Sequence, residues 1–125
     1  MKYIKKFERK KNEFYTIKNE LINAVYHGNY SKTKKLLDSG FDVNSNIDGR
    51  NSALLYASYK GEWNILFLIL KYNPDWYIKD ISKYDFIDYI NDHIDGDKVI
   101  EKITKKYPVK YNEYLMIKKS EKFNL

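Results

Sequence analysis

Displacing the chain by 33 residues superposes Leu21, Ala24, Tyr26, Gly28, Leu36, Leu37, Asp42 and Val43 on Leu54, Ala57, Tyr59, Gly61, Ile69, Leu70, Asp75 and Trp76. Eight positions of matching character at one offset point to a modular chain, in which units of equal length stack and each hides apolar surface that its neighbour leaves bare. At 125 residues the chain has room for one domain built this way and not for two independent cores.

Each unit reads as two short helices. Leu21, Ala24 and Val25 place an i, i+3, i+4 stripe on the first, and Gly28 follows where the chain must turn. A second helix is expected from about Tyr30 to Ser39, with Tyr30, Thr33, Leu36 and Leu37 on one side and Gly40 as the stop. The second unit repeats this with Leu54, Ala57 and Gly61, then Trp63, Leu66, Ile69 and Leu70, broken by Asn73-Pro74. Between the pairs, Phe41 to Ser52 is rich in Asn, Asp, Ser and Gly and predicts a projecting hairpin-like loop.

Segments 21–44 (LINAVYHGNYSKTKKLLDSGFDVN) and 52–76 (SALLYASYKGEWNILFLILKYNPDW) resemble ankyrin repeats. GFDVN at 40–44 is similar to the G-A-D-V-N ending of that family, and SALLYA at 52–57 stands where its T-P-L-H-x-A helix start belongs. A third, degenerate unit begins at Phe86 to Ile90, and its second helix (Val99, Ile100, Ile103) fits with one residue inserted near Asp95-Gly96. The expected architecture is all-α: an ankyrin-like solenoid of two clear repeats and one decayed one. The repeats span 21–103 (about 21–51, 52–84 and 85–103), between a basic N-terminal cap at 1–20 and a basic C-terminal tail at 104–125 that packs on them.

Two segments are expected to cover the ends of the stack. Tyr3, Ile4, Phe7, Phe14 and Ile17 among lysines suit an amphipathic shield for the first unit. In unit two the second helix is apolar nearly all round, because Ile65, Phe67 and Leu68 replace Lys32, Lys34 and Lys35. Its cover is expected to be the segment Tyr107 to Ile117, or a second copy of the chain in a homodimer through Trp63–Leu70.

Charge is segregated. Residues 1–20 carry seven basic and three acidic groups and residues 98–125 carry eight and three, whereas Asp75 to Asp97 hold seven acids against Lys79 and Lys83. The basic flanks offer one functional reading, electrostatic arms on a nucleic acid, but only 2 of the 23 basic residues are arginine, the residue suited to reading guanine. The Lys, Asn, Ile and Tyr bias fits an AT-rich genome, and the expectation drawn from it is a viral or phage protein whose short module neutralises a host factor.

Chemistry is sparsely represented. Without cysteine there is no thiolate nucleophile, disulfide or Cys-based metal site. His27 and His93 are not spaced as a ligand pair, and no P-loop, G-x-S-x-G or G-x-G-x-x-G turn occurs. Pairs such as Asp85/Asp88 would need a pocket to act as acid and base. The expectation is no enzyme, no cofactor and no metal. The N-terminus lacks a signal-peptide apolar run and Ile65 to Leu70 is too short to span a bilayer, so a cytoplasmic protein without a membrane partner is expected.

What remains is surface for a protein partner. The resemblance implies a concave face made of loop tips and first-helix ends. Those positions are Asn46, Asp48 and Asn51, then Lys79, Ile81 and Tyr84, with Tyr26 and His27, Tyr59 and Lys60, and Asp92 and His93 at the helix ends. Tyr26 and Tyr59 stand one period apart, and tyrosine suits binding faces because it brings large area at low entropic cost.

Overall fold

A computed structural model describes residues 17–47 and 51–123; Tyr3, Ile4, Phe7, Phe14 and Asp48 lie outside them. The helices among the described residues are α1 (Glu20–Tyr26), α2 (Tyr30–Asp38), α3 (Ala53–Lys60), α4 (Trp63–Leu70), α5 (Phe86–Asn91), α6 (Gly96–Lys106) and α7 (Pro108–Phe123). The expected hairpin is present as two short strands, β1 (Asn46–Ile47) and β2 (Asn51–Ser52), antiparallel with Asn46 opposite Ser52 and Ile47 opposite Asn51.

Local chemistry fixes the spacing. The helices α1, α3 and α5 start after Asn19, Ser52 and Asp85, whose side chains accept hydrogen bonds from the amides of Ile22, Leu55 and Asp88. These caps stand one repeat period apart and satisfy amides that a helix start leaves orphaned. The second helices start at Tyr30, Trp63 and Gly96, again at one period. Gly28 and Gly61 take equivalent left-handed bends, φ 67° and 71°. The bond that closes each bend also repeats: the Asn29 amide donates to Ala24 O at 2.8 Å, and the Glu62 amide to Ala57 O at 2.9 Å.

The third unit needs no inserted residue, which corrects the expectation for Val99, Ile100 and Ile103. Thr33, Leu66 and Val99 are buried at one offset, as are Leu37, Leu70 and Ile103. The alignment was obscured because Lys102 stands where Leu36 and Ile69 do. Gly96 is not a turn glycine either; a Cβ there would lie 2.2 Å from the Ile90 carbonyl oxygen, so it permits close approach of α6 to the end of α5.

Packing follows the same order. Helix α3 lies against α1 on one side and α5 on the other, α4 against α2, and each helix also packs on its hairpin partner. Leu21, Leu54 and Ile87, then Ala24, Ala57 and Ile90, form the buried rows between the first helices. Buried Thr33 is satisfied by donating its hydroxyl to Asn29 O at 2.7 Å. Ile17 joins this core from a non-helical position, held by its amide donating to Asn23 Oδ1 at 2.9 Å.

The expected cover of α4 is corrected. Ile65 and Leu68 are only 2% and 3% exposed within a single chain, so most of the apolar face of α4 is already covered, with Trp63 and Phe67 half-buried. The half-buried Phe67 ring lies under the ammonium groups of Lys102 and Lys106, at 5.8 and 5.4 Å. The ring and polar contacts of α7 run elsewhere. Tyr114 meets the Trp76 ring at 6.3 Å, as does Tyr107 just before the helix, and Lys79 pairs with Glu121 at 3.2 Å.

At the centre of that contact is Asp85, 1% exposed. Its carboxylate accepts from the Asp88 amide (2.9 Å) and the Tyr114 hydroxyl (2.8 Å), with Lys118 Nζ at 3.3 Å. Asp88 completes the capping box by accepting from the Asp85 amide at 3.0 Å. Burial pushes the Asp85 carboxyl above its ordinary range, while the hydrogen bonds from Asp88 and Tyr114 pull it back. This pair, weighed from sequence as acid and base, is a helix start sealed by α7.

Candidate functional site

The first-helix ends and the loops carry a row of tyrosines. The Tyr26 ring meets Tyr56 edge-on at 6.3 Å, and one period later Tyr59 meets Tyr89 edge-on at 5.4 Å; Tyr84 extends the row to Tyr89 at 5.0 Å. Helical geometry explains the recurrence. Tyr56 and Tyr59 are i, i+3 neighbours on α3, and from that shared face Tyr56 meets Tyr26 of unit one and Tyr59 meets Tyr89 of unit three. Tyr59 is 62% exposed and Tyr84 38%, whereas Tyr26, Tyr56 and Tyr89 are half-buried.

Between the rings of Tyr56, Tyr59 and Tyr89 lies a cavity of about 160 Å³, completed by Asn51, Leu55 and Asp80. Asp80 is fixed by its own loop. Its Oδ1 accepts from the amides of Ser82 (2.9 Å) and Tyr84 (3.1 Å), its carbonyl accepts from the Lys83 amide (2.9 Å), and Lys83 takes a left-handed φ of 65° to close the turn. The Tyr89 hydroxyl donates to Asp80 Oδ2. Burial first, and its hydrogen bond to Asp80 second, push that hydroxyl far above its usual range, so it stays a donor at neutral pH.

The residues singled out from sequence divide accordingly. Tyr26, Asn51, Tyr59, Lys60 and Tyr84 belong to this row or its edge; Lys60 Nζ lies 4.2 Å from the Tyr26 ring centroid. His27 is exposed at the C-terminal end of α1, 5.1 Å from the Tyr26 ring. Asn46 is exposed in β1, Ile81 is 77% exposed, and Asp92 is exposed at the end of α5. Lys79 is diverted to Glu121 on α7.

His93 is half-buried and engaged within the chain. Its Nε2 lies 2.8 Å from Ser58 O and 3.1 Å from Tyr59 O, two acceptors that require it to carry the proton, and its ring packs edge-on against Trp63 at 4.9 Å. It therefore closes the C-terminal carbonyls of α3.

Tyr56, Tyr89, Leu55 and Asp80 were not picked out from sequence. The first two carried the signal that found Tyr26 and Tyr59, since they too stand one period apart; Asp80 is marked only by its loop geometry.

A second cavity, about 590 Å³, lies on another side, lined by Tyr30, Asn64, Phe67, Lys102, Lys105 and Lys106. Among the described residues no His, Cys, Asp and Glu group is placed to hold a metal ion, and no helix is long and apolar enough to cross a membrane. No protein-family model and no curated protein matches the chain.

Proposed function

We propose that the chain is an ankyrin-like stack of three helix pairs that works without catalysis, docking a protein partner and occluding or tethering it. The observation that carries this reading is the tyrosine row from Tyr26 to Tyr84. It crosses three units, with Tyr59 and Tyr84 exposed and Tyr26, Tyr56 and Tyr89 half-buried, and tyrosine is the residue favoured at binding faces. The acids between Asp75 and Asp97 steer a basic surface towards it. Most of those acids also serve the fold: Asp75 accepts from the Tyr77 amide, Asp95 from the Trp63 indole, and Asp85 and Asp88 cap α5. A cytoplasmic setting, and a viral or phage origin with a host defence factor as target, rest on composition alone.

Capture from an extract of the source cells tests this, using the full chain beside the Tyr26→Ala/Tyr59→Ala double variant. Loss of one specific band with the double variant is expected; an unchanged band refutes docking through this face.

A second reading has its own observation. The lysine-lined cavity beside Phe67 and Tyr30 combines cations with aromatic rings, as single-stranded nucleic-acid sites do. Generic single-stranded DNA that binds in the micromolar range at physiological salt, and weakens steeply as salt rises, would favour it; no binding at low salt removes it.

A further inference from the structure

The two equivalent tyrosines of the row are covered differently, and the difference points to a ligand. In unit one the Tyr26 ring holds a cation of this same chain, Lys60 Nζ at 4.2 Å. One period on from Tyr26 is Tyr59, and one period on from Lys60 is His93. His93 does not repeat what Lys60 does, because its ring is turned under Gly61 and bonded to Ser58 O and Tyr59 O. Tyr59 is left 62% exposed at the mouth of the 160 Å³ cavity, beside a carboxylate that has no ion-pair partner among the described residues.

We propose that this cavity seats the ammonium group of a lysine side chain from the docked partner, taking the place that Lys60 occupies on Tyr26. The inference rests on the docking reading and names the chemistry at its centre.

Three features support an ammonium. The rings of Tyr56, Tyr59 and Tyr89 line the cavity, and aromatic rings attract a cation stripped of water. Asp80 supplies a full charge held in place by three donors, so it cannot swing out to solvent. Leu55, 3% exposed, gives the floor against which an alkyl stem packs. Both Asp80 oxygens already accept hydrogen bonds, which leaves no free edge for the bidentate fork of an arginine; a compact point charge fits better. The acid excess of Asp75 to Asp97 favours the approach of a basic segment.

The test is a nuclear magnetic resonance titration of the full chain with N-acetyl-lysine methylamide, its neutral norleucine analogue and its arginine analogue. The expected result is saturable shifts at Asn51, Tyr59 and Tyr89 with the lysine probe, about tenfold weaker for norleucine, weaker for arginine, and about tenfold weaker for lysine in Asp80→Asn. Tyr59→Ala, at a largely exposed position, should lose the same binding without loss of stability and guards against misfolding of the Asp80 variant. Equal shifts with norleucine, tighter binding of arginine, or lysine binding indifferent to both substitutions overturns the proposal. The two readings fail separately. A captured partner that Tyr26→Ala/Tyr59→Ala releases and Asp80→Asn retains overturns the lysine seat and leaves the docking face standing. Asp80-dependent lysine binding with no captured partner keeps the seat and removes the docking reading.

Discussion

Replacing Tyr114 by Phe isolates one bond between α7 and the rest of the chain. The ring, 2% exposed, keeps its contacts with Tyr111, Tyr77 and Trp76 at centroid distances of 6.1, 6.2 and 6.3 Å, so packing is conserved. What is lost is the 2.8 Å hydrogen bond from the hydroxyl to Asp85. A bond to a charged group contributes about 1.5–3 kcal/mol. Asp85 retains the Asp88 amide and the Lys118 ammonium, which places the expected loss near the lower end, about 2 kcal/mol. For a chain of this size that lowers Tm by roughly 8 °C. Urea unfolding followed by circular dichroism measures it, with the slope unchanged because no additional surface is exposed. Lys118→Met provides the contrast: it removes the 32% exposed ammonium at 3.3 Å and leaves the Tyr114 hydrogen bond in place, so the loss reads the cost of leaving the buried Asp85 carboxylate without its cation. If Tyr114→Phe lies within about 0.5 kcal/mol of the parent, α7 is not fastened through Asp85 and the account of that contact is wrong.

Burial raises the hydroxyls of Tyr89, Tyr107 and Tyr114 above their ordinary range. Their stabilising contribution is therefore complete below about pH 10 and is lost as pH rises beyond it, when the unfolded chain ionises first. Urea midpoints between pH 8 and 11 should fall, and less so in Tyr114→Phe; a flat profile contradicts the burial of these rings. Gly28→Ala and Gly61→Ala incur the same left-handed cost of about 1–2 kcal/mol. At Gly61 the new Cβ also lies 3.1 Å from His93 Cε1 and disturbs its two carbonyl bonds, whereas at Gly28 only the flexible end of Glu62 is as near. Gly61→Ala should be the more destabilising by about 1 kcal/mol in chemical unfolding, and the reverse order refutes the capping role of His93. Because α4 is covered within the chain, sedimentation equilibrium at tens of micromolar should give a monomer; a dimer disrupted by Phe67→Asp would overturn the assignment of that cover.

The repeat was legible because burial and helix punctuation leave marks at fixed spacing. Leu21 and Leu54, Ala24 and Ala57, Gly28 and Gly61 could be aligned by inspection, and they occupy matching places. The third unit was harder, since Ile94 stands where a turn glycine would and Lys102 where an apolar residue would, while the caps Asn19, Ser52 and Asp85 keep the period through different side chains. Half of the site was visible in the same way. Asp80 was not, because its placement comes from a loop closed by Lys83 at positive φ, and no periodicity encodes that. Nor did composition indicate that His93 would face inward, since its partners are backbone carbonyls of another unit.

Helix starts metered at one spacing let such a chain grow by whole quanta. Tandem duplication of residues 53–85 would add one helix pair, and with it a further Tyr56 and Tyr59 beside the existing row, while Ile17 at one extremity and Tyr114 at the other keep sealing what they seal now. The tyrosine row would then lengthen without redesign of either end.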